Sequence, residues 1–317
     1  MTLQTDRITP SQRRRDLVCI SGAAVLTVAL IGHERVPDVF GIGIVLDSAL
    51  PWLGVGIPVL TLTAALCRSK VGALTLLVPL IAWTYLFGSW WATGTGSATV
   101  PYPTQVKVVT QNLYAGNQQP TATARALSAL DADLIGLQEF SAGNADAVSS
   151  ILADDYRYYV VEGTVALWSR YPISRTTSVD VGLGWRRGLR AHVETPHGGL
   201  VVYVLHLPSF RLGDTAQRDH GLRTLSRSLA SDTAERVVVL GDFNTTDTDR
   251  RWQGFAPGYH DTQRSAGSGP GFTWPARLPV VRPDHVLIRG IRATSSKVDR
   301  TPGTDHRAVA VTLDLEQ

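Results

Sequence analysis

Cysteine is scarce in this chain: of its 317 residues, only Cys19 and Cys67 are cysteines. Both lie in an apolar N-terminal part, so residues 93–317 can form no internal disulfide bond. The same scarcity excludes a cysteine nucleophile and a cysteine-based metal site from residues 93–317. Cysteine usage does not decide the cellular compartment.

An excess of charge of either sign is also missing from residues 93–317. They contain 23 Lys and Arg residues against 22 Asp and Glu residues, a net charge of +1. Proteins that bind nucleic acid without sequence preference are usually more basic. The composition therefore does not favour DNA as a ligand.

Charged residues are rare between residues 17 and 92, where three apolar runs follow one another. The runs cover residues 17–32, 50–67 and 71–91, and each approaches the roughly 20 residues that cross a bilayer. A cleaved signal peptide fits less well, because no small-x-small site follows the first run and two more runs come after it. The sequence predicts three transmembrane helices, with buried core helices of a soluble protein as the alternative.

The flanking charges give these spans an orientation. The basic tail at residues 1–16 and the short loop Arg68-Ser69-Lys70 are expected in the cytoplasm, whereas residues 33–49 are acidic on balance. Because three spans place the two chain ends on opposite sides, we expect an integral membrane protein with an extracytoplasmic domain at residues 105–317. Residues 93–104, rich in Gly, Ser, Thr and Pro, are expected to form a linker.

Strand and helix patterns alternate from residue 105 onward. Helices are predicted at residues 121–130, 144–152 and 215–229. Strands are predicted at residues 106–110, 133–137, 158–161, 165–169, 176–181, 190–194, 201–205, 237–240, 286–288 and 308–313. This mixture predicts an α/β fold of two packed β-sheets flanked by helices, a four-layer sandwich.

Residues 237–246 combine a strand that reads as buried with two polar residues at its end. Side chains two apart on a strand point the same way, so Asp242 and Asn244 are expected to project together. A carboxylate beside a carboxamide suits metal-assisted phosphoryl chemistry. An Asx-type turn after the strand is the alternative.

Polar residues at the ends of the predicted strands form six motifs. They are Gln111-Asn112-Leu113, Gln138-Glu139, Leu205-His206-Leu207, Gly241-Asp242-Phe243-Asn244, Pro283-Asp284-His285-Val286-Leu287 and Thr304-Asp305-His306-Arg307. Through these motifs, in this order, the chain resembles the endonuclease/exonuclease/phosphatase superfamily from about residue 105 to the C-terminus. Members of that superfamily include pancreatic-type deoxyribonucleases, abasic-site endonucleases, neutral sphingomyelinases and inositol-polyphosphate phosphatases.

The resemblance implies a site for Mg²⁺ or Mn²⁺. Glu139 is expected to be the principal ligand, because a hard oxygen ligand suits Mg²⁺. Asn112 is expected to help hold the metal region and the phosphate. Asp305 is expected to contribute to the metal site or to the hydrogen bonds around it. One metal ion and two metal ions both remain open.

The resemblance also implies the catalytic groups. His306 is expected to take the proton from the attacking water, and Asp284 to orient His306 and stabilise its cationic form. Asp242 and Asn244 are expected to position the water and the phosphoryl oxygens. His206 is expected to donate to a phosphoryl oxygen or to the leaving group, and it separates the chain from abasic-site endonucleases, which differ there.

One basic cluster has an aromatic neighbour, because Trp185, Arg187 and Arg190 lie close together in the sequence. The cluster is expected to bind the substrate through its phosphates or its lipid headgroups. A solvated loop that precedes a strand is the alternative.

The expected function is that of a membrane-anchored, metal-dependent phosphodiesterase, with nuclease activity as the leading expectation. A sphingomyelinase-type phospholipid hydrolase and a phosphomonoesterase are alternatives, because fold and motif leave the substrate open. An inactive, tethered binding domain is a further alternative, which the complete set of polar residues opposes. The substrate is expected to be nucleic acid or phospholipid, and no protein partner is predicted.

Overall fold

The computed structural model describes residues 9–92 and 104–316, so residues 1–8 of the predicted tail and nearly all of the predicted linker lie outside the described residues. The chain forms two compact units, Met1–Ser89 and Trp90–Gln317. The second unit thus starts before the predicted linker. Within it, the Arg264 guanidinium carbon lies 3.7 Å from the centroid of the Trp90 ring, and the Gly269 amide donates to the Trp90 carbonyl at 2.7 Å.

The first unit is helical. Its helices are α1 (Pro10–Gly32), α2 (Ile42–Ala49), α3 (Gly56–Leu66), α4 (Lys70–Thr75) and α5 (Leu77–Phe87), with short 3₁₀ helices at His33–Arg35 and Leu50–Val55. Three stretches are long and apolar enough to cross a membrane, namely Pro10–Arg35, Ile42–Leu66 and Lys70–Trp91.

The second of these stretches begins at Ile42, well before the predicted start at residue 50. Asp47 interrupts the apolar pattern in the sequence, yet its side chain is fully buried. Its carboxylate lies 2.7 Å from Nδ1 of His33. This hydrogen-bonded pair offsets the penalty of burying the carboxylate, and the apolar stretch therefore continues through Asp47.

The second unit contains two six-stranded sheets. The strands are β1 (Gln105–Asn112), β2 (Leu134–Gln138), β3 (Tyr158–Glu162), β4 (Val165–Ser169), β5 (Ile173–Ser178), β6 (Gly188–Thr195), β7 (Gly198–His206), β8 (Val237–Asp242), β9 (His260–Asp261), β10 (Asp284–Arg289), β11 (Arg292–Asp299) and β12 (Ala308–Asp314). The first sheet has the order β11-β12-β1-β2-β4-β3 and the second the order β5-β6-β7-β8-β10-β9.

The core lies between the two sheets. Val108, Leu134, Val204 and Leu240 are fully buried there, as expected for strands whose two faces are both covered. Helices α6 (Pro120–Ser128) and α7 (Ala145–Leu152) cover the outer face of the first sheet. Helix α8 (Ala216–Ser231) covers the second sheet, while α9 (Thr262–Ala266) lies beside β10 and β11. The predicted four-layer α/β sandwich is confirmed.

Candidate active site

Strand direction brings the predicted polar residues to the same end of the strands in both sheets, which we call the active-site edge. β1 and β2 run parallel, as do β7 and β8, so their carboxyl ends share an edge within each sheet. β10 and β12 run antiparallel to β8 and β1 and therefore begin at that edge. The residues delivered there are Asn112, Glu139, His206, Asp242, Asp284, Asp305 and His306.

Asp284 and His306 form a buried pair at this edge. Oδ2 of Asp284 lies 2.8 Å from Nδ1 of His306, and it also accepts a hydrogen bond from the Thr273 hydroxyl at 2.5 Å. A carboxylate only accepts, so Nδ1 carries the proton. This arrangement leaves Nε2 of His306 available to the site, 3.8 Å from Oδ2 of Asp242.

The charge around His306 determines its protonation. Burial lowers its pKa, but the negative charges of Asp284 and Asp242 outweigh burial and raise the pKa to about 10. The two carboxylates therefore favour the protonated form of His306. A cation beside them would offset their charge and favour the neutral imidazole that a general base requires.

Asp242 lies at the centre of the group. Its Oδ2 accepts a hydrogen bond from the Asn112 amide at 3.0 Å, and its Oδ1 accepts one from the backbone of Asn244 at 2.8 Å. Burial is the main reason that its pKa is raised to about 6; the positive charge of His306 opposes the shift, and the negative charge of Asp284 adds to it.

Asn244 does not extend the strand that carries Asp242. β8 ends at Asp242, and Asn244 has a φ of 49°. The Asn244 side chain donates to the Leu207 carbonyl at 2.9 Å. The prediction that the two side chains project together from the strand is wrong, because the chain turns after Asp242 and the Asp242 carboxylate caps that Asx-type turn.

Glu139 is held in an unusual backbone conformation. Its φ is 56°, in a region that non-glycine residues rarely adopt and that is enriched at functional sites. The Asn112 amide donates to its Oε1 at 3.2 Å, and the Ala115 backbone donates to its Oε2 at 2.6 Å. Its side chain is 28% exposed, so the carboxylate is oriented and still accessible.

His206 is buried against the Arg187 guanidinium, which contacts both of its ring nitrogens. Burial first, and then the positive charges of Arg187 and His306, lower the pKa of His206 well below its usual range. His206 is therefore a neutral imidazole, and its Nε2 lies 3.6 Å from Oδ2 of Asp242. Nε of Arg187 is buried with no hydrogen-bond partner among residues 104–316.

The structure separates the predicted substrate-binding cluster. The carbon of the Arg187 guanidinium lies 4.8 Å from the centroid of the Trp185 ring, which is exposed. Arg190 instead donates to Asp232 at 2.8 Å and to the Tyr203 hydroxyl at 3.2 Å. The prediction for Arg190 is wrong, because its side chain points to the outer face of the second sheet and is held there by an ion pair.

A comparison with protein families agrees with this geometry. Residues 109–306, more than half of the chain, match the profile of the Endonuclease/Exonuclease/phosphatase family. The chain belongs to this family. Its members hydrolyse phosphoric esters with a divalent metal ion, so the predicted enzyme class, a metal-dependent phosphoric ester hydrolase, is confirmed.

Solved structures share the fold of the second unit at low sequence identity. A humanized TDP2 of D. rerio is 19% identical, with 66% of this chain and 99% of that chain covered and a TM-score of 0.58. A family member from Bacteroides vulgatus is 16% identical over 67% and 100% of the two chains, with a TM-score of 0.56. Beta toxin from Staphylococcus aureus is 15% identical over 65% and 99%, with a TM-score of 0.50. A search of curated protein sequences finds no match.

The donor groups of the site suit the divalent cation that the family uses. Asp242, Asp284 and His306 offer ligand atoms within 4.8 Å of one another. Among residues 104–316, Oδ1 of Asp284 is buried without a hydrogen-bond partner, which is rare for a buried acceptor. Burial also raises the pKa of both Asp242 and Asp305. Carboxylate oxygens held away from water, among them the unpaired oxygen of Asp284, fit a hard cation.

Several positioning residues were not assigned from the sequence. The Gln111 amide donates to the His306 carbonyl at 3.2 Å, and its oxygen accepts from Thr301 at 2.7 Å. His285 lies 2.8 Å from the Thr245 carbonyl and 3.2 Å from the Asp261 carboxylate, and so supports the turn after Asp242. Gln111 and His285 lie inside the motifs, whereas Thr273 belongs to a glycine-rich loop with no sequence signal for this contact.

Proposed function

We propose that the chain is a phosphodiesterase in which water attacks phosphorus in line with the leaving group. The Asp284–His306 pair carries this proposal. In its neutral form, His306 takes the proton of the water at Nε2, while Asp284 holds Nδ1–H and stabilises the imidazolium that forms. Asp242, 3.8 Å from Nε2, positions the water.

Glu139 and Asp305 are the residues that would hold the divalent cation, with Asn112 bracing Glu139. Asp284 and His306 are already bonded to each other, whereas the Glu139 carboxylate is accessible and its charge contributes to the raised pKa of Asp305. When bound, such a cation offsets charge on the phosphoryl oxygens and the leaving group. Mg²⁺ and Mn²⁺ are the ions we expect.

His206 and Arg187 would bind the phosphoryl oxygens beside Asp242, whose Oδ2 lies 3.6 Å from Nε2 of His206. His206 is neutral, so it donates through a single N–H. Arg187 is buried against His206, an uncharged partner. The Asp242 and Glu139 carboxylates act on its charge, but its Nε has no hydrogen-bond partner among residues 104–316. This N–H would donate to a phosphate oxygen, because guanidinium groups match phosphate geometry well.

Two classes of phosphodiester are candidates for the substrate. Sequence likeness favours a nucleic acid, and one structural neighbour, TDP2 of D. rerio, is complexed with a single strand DNA product. Exposed leucine and aromatic side chains in loops at the active-site edge favour a phospholipid instead.

We also propose that the first unit anchors the enzyme in a membrane with the N-terminus in the cytoplasm and the catalytic unit outside. The three apolar stretches and the distribution of basic residues support this topology. A reporter enzyme that is active only outside the cytoplasm, fused after Gln317, should be active. Activity of a cytoplasm-specific reporter at the same position would reverse the orientation.

The test of the chemistry is hydrolysis by the purified full chain in detergent. Supercoiled plasmid and bis(p-nitrophenyl) phosphate would be supplied with Mg²⁺ or Mn²⁺ and with a chelator. Hydrolysis should require the metal, vanish in Glu139→Ala, and persist in Asp154→Ala, which removes an exposed carboxylate elsewhere. A folded protein that hydrolyses neither diester with either metal would refute the proposal.

A further inference from the structure

Exposed apolar side chains of the second unit are gathered around the active site. In the described part of the second unit, residues 90–92 and 104–316, five of the eight exposed large apolar or aromatic residues lie in loops at the active-site edge. These five residues, which we call the apolar rim, are Tyr114, Trp185, Leu212, Trp274 and Leu278. The other three are Trp91, at the start of the unit, and Tyr159 and Val161 on the edge strand β3.

The aromatic members of the apolar rim adjoin three different residues of the site. The backbone amide of Tyr114 donates to the Asn112 side chain at 2.9 Å. The Trp185 ring lies against Arg187, and the Trp274 side chain hydrogen-bonds to Asp305. These three residues therefore border the place where the phosphoryl group would bind.

The two leucines of the apolar rim lie at the tips of turns. A bridge between Arg211 and Asp214 closes the turn that carries Leu212, and a bridge between Trp274 and Val281 closes the loop that carries Leu278. Their exposed fractions are 73% and 74%. Nothing in the described part of the second unit covers either leucine, so both offer apolar surface to an external partner.

We propose that the apolar rim inserts into the interface of a phospholipid bilayer and presents the site to the phosphodiester of a lipid headgroup. Leucine side chains at loop tips have no polar group for phosphates and no aromatic face for bases. Tryptophan and tyrosine favour the boundary between lipid and water. The near-zero net charge of residues 93–317 provides little electrostatic attraction for nucleic acid. Three helices of the same chain are long and apolar enough to cross a bilayer.

The substrate half of this inference rests on the proposed phosphodiesterase function, whereas bilayer insertion can be measured without catalysis. Full-length protein with Cys19→Ala and Cys67→Ala would receive one fluorophore at Leu212→Cys, Leu278→Cys or Tyr159→Cys. Tyr159, 60% exposed on the outer face against Trp168, is the matched control. The protein would be reconstituted into vesicles of phosphatidylcholine and phosphatidylglycerol that contain nitroxide lipids.

Nitroxide lipids should quench the probes at 212 and 278 at least about threefold more than the probe at 159, because an inserted side chain lies within the headgroup and acyl boundary. An aqueous quencher should show the reverse order. Equal quenching of all three probes would overturn insertion.

Hydrolysis rates on a soluble diester and on vesicle phospholipids distinguish a failure of the proposed phosphodiesterase function from a failure of the lipid assignment. Leu212→Ser/Leu278→Ser should hydrolyse bis(p-nitrophenyl) phosphate like the wild type, while hydrolysis of the vesicle phospholipids falls about tenfold or more; Tyr159→Ser should change neither rate. If the wild type hydrolyses no soluble diester, the proposed function fails while the quenching result stands. If it hydrolyses the soluble diester but no phospholipid, or if the leucine variant loses plasmid nicking instead, the lipid assignment is overturned.

Discussion

His306 and Asp284 are expected to act as one unit. His306→Ala should lower turnover of a soluble diester by about 10²–10⁴-fold, because the water loses its base. Asp284→Asn should cause a loss of similar order, because Nδ1 of His306 loses the acceptor that orients it. Steady-state kinetics with a thermal melt for each variant would check both.

The double variant provides the sharper measurement. Groups that act together in one step lose activity non-additively, so Asp284→Asn/His306→Ala should be no slower than His306→Ala. Losses that multiply in the double variant would show that Asp284 acts independently of His306.

Glu139 and Asp305 are expected to bind the cation through their carboxylate oxygens. Glu139→Gln should weaken Mg²⁺ or Mn²⁺ binding by about tenfold or more in calorimetric titration, since an amide replaces a charged ligand. Asp305→Asn should act in the same direction, and the exposed Asp154→Asn should bind as the wild type does. Unchanged affinity in Glu139→Gln would remove it from the metal site.

Gly241, in β8, allows the backbone of β8 to approach the Leu205 carbonyl of β7 closely. A Cβ at this position would lie 1.9 Å from the Leu205 carbonyl oxygen, and backbone cannot move aside as a side chain can. Gly241→Ala should therefore destabilise the protein by about 3 kcal/mol. Gly254→Ala is the control, because its φ is also positive at 67° but nothing lies within 4 Å. Denaturant unfolding of both variants should show the larger loss for Gly241→Ala.

Asp232 connects helix α8 to strands β6 and β7. Burial opposes its ionisation, but hydrogen bonds from Arg190 and Tyr203 outweigh burial and lower its pKa to about 2, from an ordinary 3.8. Because the folded-state pKa is the lower one, ionised Asp232 contributes stability that is complete above about pH 4 and is lost as the pH falls toward about 2.

Asp232→Asn should therefore be less stable than the wild type at pH 7, by about 1–2 kcal/mol. Its stability should also fall less steeply than that of the wild type below pH 4. Urea titrations at a series of pH values would measure both effects. Parallel stability curves for the two proteins would contradict the assigned ion pair.

The second unit starts at Trp90, before the predicted linker at residues 93–104. The Trp90 ring lies under the Arg264 guanidinium and 6.3 Å from the Phe272 ring, edge to face. A soluble fragment that starts at residue 90 should melt about 2–6 °C higher than one that starts at residue 93, from contacts worth about 1–2 kcal/mol. Trp90→Ala in the longer fragment should remove the difference; equal melting of both fragments would contradict it.

The sequence determined the local elements and the residue types of the site. Alternating or continuous apolar runs identified most strands of the second unit. Asn112, Glu139, His206 and Asp242 follow such runs and Asp284 precedes one, so their positions beside the strands and the family resemblance together selected them. β11 was missed, because the sequence of Arg292–Asp299 is mostly polar and such a strand forms only when β12 offers its free edge.

Only the tertiary structure decided which side chains meet. Asn112 and Asp242 are 130 residues apart and hydrogen-bond, because the two sheets pack with their site edges together. Arg190 does not join the predicted substrate-binding cluster, because its side chain points to the outer face of the second sheet and pairs with Asp232. Asn244 does not continue β8, because the chain turns after Asp242. The protonation of His306 and His206 also depends on burial and neighbouring charge. Neither the burial of these two side chains nor the charges beside them can be inferred from the local sequence, because residues distant along the chain produce both.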